Sequence, residues 1–235
     1  MSKSPEIPNA SPAVQEASAI YCALMEEIKI RLTAIQYFVD RMKAKPTETL
    51  GFIQAESAIL QLRNVCELMA LAALAAHHPF GLLDDTLLES WNARLAFRDV
   101  AKLSSRSFPQ PIRSIIQKPD GTKFIDDNPK GLPTLRGLMR CYSRCGSLLH
   151  RGVVKHAFEK KQKLYDVDWI EEWGVRIGEL LVSHTMVIPE HSFALIVDFY
   201  GGAAAEVSVK VALASGPGRF AAPAKAGMTR HPAGK

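Results

Sequence analysis

The stretch Thr49–Ala76, TLGFIQAESAILQLRNVCELMALAALAA, decides how this chain is read. It contains no proline, and its apolar residues fall on most sides rather than along one stripe. A helix of that kind must be covered all round, which predicts the central helix of a bundle. Its longest mainly apolar run, Val65–Ala76, is short for a bilayer span and contains Glu67. That predicts a helix buried in protein rather than in lipid.

Working outward, Ser11-Pro12 is a helix start, with proline suited to the first turn. Ile20, Ala23, Leu24, Ile28, Leu32, Ile35 and Phe38 then recur at three- and four-residue steps as far as Lys45-Pro46. The short Lys-Pro link favours an antiparallel pairing of this long helix with the central one, which ends at His77-His78-Pro79. A third helix is expected from about Thr86 to Leu103, anchored by Trp91, Leu95 and Phe97. Beyond it, β-prone runs flank Pro119-Asp120-Gly121-Thr122, a turn signal. A fourth helix is expected in TLRGLMRCYSRCGSLLH, residues 134–150. A fifth is expected over 169–184, with Asp166 or Asp168 as its N-cap. HTMVIP, FALIVDFY, Gly201-Gly202 and EVSVKVALAS alternate apolar and polar residues around a glycine turn.

The expected fold is mainly α: a bundle of about five helices, a small β-hairpin insertion and a C-terminal antiparallel β-meander. In ranges, 1–11 is a disordered lead and 12–184 the bundle, with its hairpin near 111–127. The meander occupies 185–215 and packs on the bundle, and 216–235 is a disordered basic tail. With 235 residues, 47% of them apolar and 23% charged, a substantial core is affordable. The net charge of +5 includes Arg219, Lys225, Arg230 and Lys235 of the tail, which has no acid. The body is therefore near neutral, and overall charge does not by itself point to nucleic acid. The N-terminal residues lack the apolar core of a targeting peptide. Cys22, Cys66, Cys141 and Cys145 form no CxxC pair, so reduced thiols, a cytoplasmic location and no membrane association are expected.

Two groups of polar residues carry candidate chemistry. On the central helix, Glu56, Arg63 and Glu67 lie seven and four positions apart and share one stripe. The stripe reads as a solvated face or an internal Arg63–Glu67 pair, or else as a polar seam facing the fourth helix. The fourth helix ends in RCGSLLH, residues 144–150. Cleaving RNA without a metal needs a group that exchanges a proton with the 2′-hydroxyl or the leaving oxygen, and histidine suits both. It also needs a fixed cation against the charge on the phosphorus oxygens, which a guanidinium supplies. Six positions apart on a helix, Arg144 and His150 point about 120° away from each other. A symmetric dimer with this helix at its two-fold axis would bring two such pairs to one groove. Cys141, Cys145 and His150 lack the fourth partner of a tetrahedral metal site, so small-residue packing is expected of the thiols. No metal or cofactor is expected. No glycine-rich phosphate loop, nucleophile elbow or paired-aspartate motif appears.

Arg144-x5-His150, placed at the end of a late bundle helix, resembles the Arg-x(4–6)-His signature of the HEPN superfamily. That superfamily comprises all-α domains, many of them dimeric, metal-independent endoribonucleases of toxin and defence systems. QLRNVCELMALAALAAH, CYSRCGSLLH and HTMVIP…FALIVDFYGG also resemble a group of uncharacterised bacterial proteins over most of residues 50–212. The HEPN resemblance implies that Arg144 stabilises phosphate charge and His150 is the acid/base. It implies that Glu67 or Glu56 is the supporting acid, beside Arg63, with Arg140 and Arg151 near the substrate. An RNA substrate, a homodimer and a neutralising antitoxin are the implied partners. Cys145 stands where many active members carry a polar residue, often asparagine. Arg151 and His156 fit the same loose spacing, but Gly152 makes that segment read as a loop.

Overall fold

The structure, a computed structural model, describes residues 11–45, 50–83, 93–103, 106–119, 123–127, 131–150, 164–188, 193–201, 206–214 and 220–221. Residues 1–10, Trp91, residues 120–122, Arg151, His156, His191 and residues 222–235 lie outside the described residues.

Helix α1 runs Pro12–Ala44. Ser11 is its N-cap, the hydroxyl oxygen accepting from the Val14 N–H, and Pro12 opens the first turn. The buried line is Ala17, Tyr21, Met25, Ile28, Ile35, Val39 and Met42. It is rotated from the expected stripe: Ala23 is exposed, and Ile20, Leu24, Leu32 and Phe38 are half-buried. Apolar residues flank both sides of the true line, so spacing alone leaves its centre undecided.

Helix α2, Gly51–His77, is the central element and touches α1, α3 (Ala93–Leu103), α4 (Leu135–Leu149) and α5 (Val167–Leu181). Leu62, Val65, Cys66, Met69 and Ala73 are among its fully buried residues. With the short 3-10 turn that follows, Gly51–Phe80 is long and apolar enough to cross a bilayer by length and composition. In this fold, much of that apolar surface is covered by the other helices.

Helix α4 is capped by Thr134, whose hydroxyl oxygen accepts from Gly137 N–H at 3.1 Å. Helix α5 is capped by Asp166, whose carboxylate accepts from Trp169 N–H at 2.9 Å. Helix α5 stops at Leu181, earlier than expected, because Ser183 and His184 already belong to a strand.

The strands are β1 (Gln110–Gln117), β2 (Lys123–Asp127), β3 (Ser183–Ile188), β4 (Phe193–Asp198), β5 (Ser208–Ala214) and β6 (Phe220–Ala221). The hairpin and the meander are one sheet. It closes in the order β1-β2-β6-β5-β4-β3, with every described pairing antiparallel. The β1–β3 seam is Gln110↔Thr185 and Pro111↔His184. Two residues of the expected tail, Phe220 and Ala221, pair with β5 and β2. Period-two alternation sorts the side chains. Met186, Ile188, Phe193, Leu195, Val197, Val209 and Val211 join the helical core. Val187, Ala194 and Ala212 form a second, smaller cluster with Ile125 and Ile196.

Two buried histidines join bundle to sheet. His77 has Nδ1 at 2.6 Å from the Ala73 carbonyl and Nε2 at 3.1 Å from the Ser107 hydroxyl. His184, in β3, bonds the Leu181 carbonyl and Tyr21. His77 is the last residue of α2, the helix end its place before His78-Pro79 suggests, and it is fully buried there.

Candidate functional site

Helix α4 presents three faces. Leu138, Cys141 and Cys145, at three- and four-residue steps, are buried in the core. Arg144, next in sequence to Cys145, turns toward the start of α5. Its guanidinium carbon stands 4.1 Å from the Trp169 ring centroid, and Nη2 lies 3.5 Å from an Asp166 carboxylate oxygen. Both partners of that ion pair are open to solvent, with side chains 49% and 56% exposed. A pair so exposed contributes about 0–1 kcal/mol, and the stacking adds a similar amount.

His150 is the C-cap of α4, its N–H bonded to the Gly146 carbonyl at 3.2 Å, and the residue is exposed. It follows Tyr142 and Gly146 at four-residue steps, and those two residues meet α2. The helix thus puts Arg144 and His150 on different faces, as their spacing requires.

The α2 stripe contains the Arg63–Glu67 pair, and at Arg63 it meets α4. Arg63 donates from Nε to Glu67 at 3.2 Å and from Nη2 to the Tyr142 hydroxyl at 2.9 Å. Its guanidinium carbon lies 4.8 Å from the Tyr142 ring centroid. Burial opposes the Arg63 charge, but the bonds to Glu67 and Tyr142 outweigh it and hold the guanidinium above its ordinary pKa. One helical turn along α4, a Cβ on Gly146 would stand 3.7 Å from Arg63 Nη1. Glu56, at the other end of the stripe, accepts a 2.5 Å hydrogen bond from the Tyr165 hydroxyl. Glu56, Arg63 and Glu67 are all half-buried, and Arg140 is exposed.

The thiols explain the departure at Cys145. Cys141 and Cys145 interact with each other, and Cys66 lies against Cys141. The Cys145 thiol is pushed far up by its bond to Cys141 and by burial. Cys141 is bonded to Cys145, which favours its thiolate, but Cys66 and burial prevail and push it up too. Such thiols stay protonated and unreactive. The position after Arg144 points into the core, where a small thiol packs and a polar amide would need a buried partner. Among the described residues, no group of three or more His, Cys, Asp or Glu could hold a metal ion.

Tyr142, Tyr165 and Trp169, which the sequence does not single out as partners, meet the candidate side chains, as does Asp166, marked there only as a cap. Tyr142 had a signal, since it stands four positions before Gly146 and eight before His150. Tyr165 and Asp166 had none beyond the cap. Elsewhere, a groove of about 490 Å3 runs between α1, α5 and Tyr200, with Gly174 and Gly178 in its wall; no α4 residue lines it.

These features describe a mainly α bundle closed at one side by a small antiparallel barrel, with a polar seam between α2 and α4. No family model, curated protein or solved structure matches the chain.

Proposed function

We propose that the protein is a HEPN-like, metal-independent endoribonuclease that works as a homodimer in the cytoplasm. The observation that carries this reading is the exposure of both Arg144 and His150 on the last two turns of α4. The His150 imidazole takes the proton of an RNA 2′-hydroxyl, and that oxygen attacks the adjacent phosphorus. The P–O5′ bond breaks, leaving a 2′,3′-cyclic phosphate, and the leaving 5′-oxygen takes up a proton from an imidazolium. Arg144 faces the charge that builds on the non-bridging oxygens. Because the two groups diverge by about 120° on one helix, a two-fold pairing of α4 ends completes the groove. Exposed Arg140, one turn earlier, adds a backbone contact, and Arg151 follows His150 directly in sequence. A nuclease of this toxin or defence type is held in check by a neutralising antitoxin.

The test is cleavage of a labelled RNA in EDTA by the wild-type protein, His150→Ala and Arg144→Ala. Wild-type cleavage that falls at least about 100-fold in His150→Ala supports the reading. Equal cleavage by wild type and His150→Ala, or none by any, removes it.

A second reading, a non-catalytic interaction module, is favoured by the engagement of Arg144 with Trp169 and Asp166, which gives that residue a packing role. In this reading the meander is a poor docking edge, because β1 pairs with β3 and β6 pairs with β5.

A further inference from the structure

We infer that Arg63, on α2, is the phosphate-binding cation that serves His150 of the same chain. This goes beyond Arg144, and it rests on the ribonuclease reading for the identity of the phosphate as that of RNA.

The argument starts from how Arg63 is held. Two of its three nitrogens are occupied, Nε by Glu67 and Nη2 by the Tyr142 hydroxyl. Among the described residues, Nη1 has no hydrogen-bond partner. It stands over Gly146, where the absence of a side chain leaves α4 bare, and the Arg63 side chain is 33% exposed. A counterion alone would explain Glu67. It does not explain a planar fork fixed on two sides with its third nitrogen held over a bare helix surface. That is a preorganised donor for an anionic oxygen.

The second part is register. Cys66 packs with Cys141, whereas Arg63 meets Tyr142 and Gly146. Partners on α4 therefore rise in number as those on α2 fall, so the two helices run antiparallel along this seam. Tyr142, Gly146 and His150 mark one line on α4, and His150 lies one turn, roughly 6 Å, beyond the bare surface under Nη1. That step suits a single phosphodiester, with one oxygen on Arg63 and the adjoining ribose toward His150. Arg144 leaves α4 on another face, lying over Trp169. The seam thus adds a cation on the His150 side of the groove from the same chain, beside the Arg144 that the two-fold pairing brings.

The experiment measures binding apart from cleavage. A short fluorescent single-stranded RNA with 2′-O-methyl sugars, which cannot be cleaved by 2′-hydroxyl attack, is titrated in EDTA at several salt concentrations. Wild type, Arg63→Gln, Arg63→Lys and Gly146→Leu are compared, and thermal melting reports folding. The expected result is a loss of about tenfold in affinity for Arg63→Gln. The slope of log affinity against log salt should fall by roughly 0.7, the mark of one lost phosphate contact. Arg63→Lys recovers the slope but only part of the affinity, because it keeps the charge without the fork. Gly146→Leu leaves Arg63 in place, covers Nη1 and weakens binding comparably. If Arg63→Gln does not fold, Gly146→Leu decides. The inference is overturned if the folded variants bind with wild-type affinity and slope, or if wild type does not bind saturably. Wild-type cleavage with unchanged binding by Arg63→Gln would keep the nuclease and discard this role for Arg63. Binding lost in Arg63→Gln without cleavage by wild type would do the reverse.

Discussion

The Tyr21 hydroxyl donates a 2.9 Å hydrogen bond to Nε2 of His184, joining the first helix to the first strand of the meander across 163 residues of chain. The direction follows from the other ring nitrogen: Nδ1 lies 3.0 Å from the Leu181 carbonyl, which only accepts, so Nδ1 carries the hydrogen and Nε2 accepts. Both residues are fully buried, so the neutral imidazole is built into the junction of bundle and sheet.

Acid should therefore loosen that junction. Burial pushes the His184 pKa down from its ordinary 6.5 to about 4. Between those values the unfolded chain binds the proton and the folded one does not, so stability rises with pH across the window. The contribution is present above pH 6.5 and is lost as pH falls toward 4, on the order of 3 kcal/mol in all. Urea unfolding at pH 7.5, 5.5 and 4.5 should show the decline, and His184→Gln should flatten this part of it. A wild-type curve no steeper than that of His184→Gln would refute the account.

Thiol chemistry should divide the cysteines. Cys66, Cys141 and Cys145 are buried, and Cys22 is half-buried. Burial, with Glu26 and Glu206 nearby, pushes the Cys22 thiol up, so even this one reacts slowly. A colorimetric thiol titration at pH 8 should count at most one group in the native protein and all four in denaturant. Rapid native reaction of two or more would contradict the packing of α4 on α2.

Gly201→Ala should be among the more damaging single changes. A Cβ there would fall 1.7 Å from the Glu206 carbonyl oxygen, which is backbone and cannot swing aside. The loop between β4 and β5 must shift, and with it Val207, whose N–H is accepted by Glu26 and whose carbonyl accepts from the Cys22 thiol. A loss of about 2 kcal/mol or more is expected, read as a melting temperature lower by roughly 5 °C.

Arg144→Ala should separate stability from chemistry. Its ion pair and its stacking partner are at the surface, so unfolding free energy should change by about 1 kcal/mol or less. RNA cleavage should nevertheless fall by about 100-fold. A large loss of stability without an effect on cleavage would give the residue to the Trp169 contact alone.

Much of the helical framework is legible without coordinates. Ser11 and Pro12 mark the start of α1, and the Asp166/Asp168 pair marks that of α5, because a cap is a bond made within a few residues of itself. The apolar surface of α2 places it at the centre, because a helix greasy on most sides has to be surrounded. The same reasoning finds α4 and puts Arg144 and His150 on different faces from helical periodicity alone.

Other features have no local cause. The β1–β2 hairpin and the meander each alternate correctly, yet nothing in either segment says that Gln110 and Pro111 will pair with Thr185 and His184. Phe108, just ahead of β1, and Met186, in β3, are buried in the same core, and that brings the two segments together. Likewise, Arg63 has Glu67 one turn away in sequence, but the hydroxyl of Tyr142 arrives from 79 residues further on. His77 and His184 look like ordinary helix-end and strand-flanking residues until the fold surrounds them. The sequence by itself determined much of the helical framework, the Ser11 start of α1 and the buried character of α2, since periodicity and capping act over a few residues. Only the tertiary structure decided the closed sheet, the histidine bridges and the partners of Arg63, since these depend on where distant apolar faces come to rest against one another.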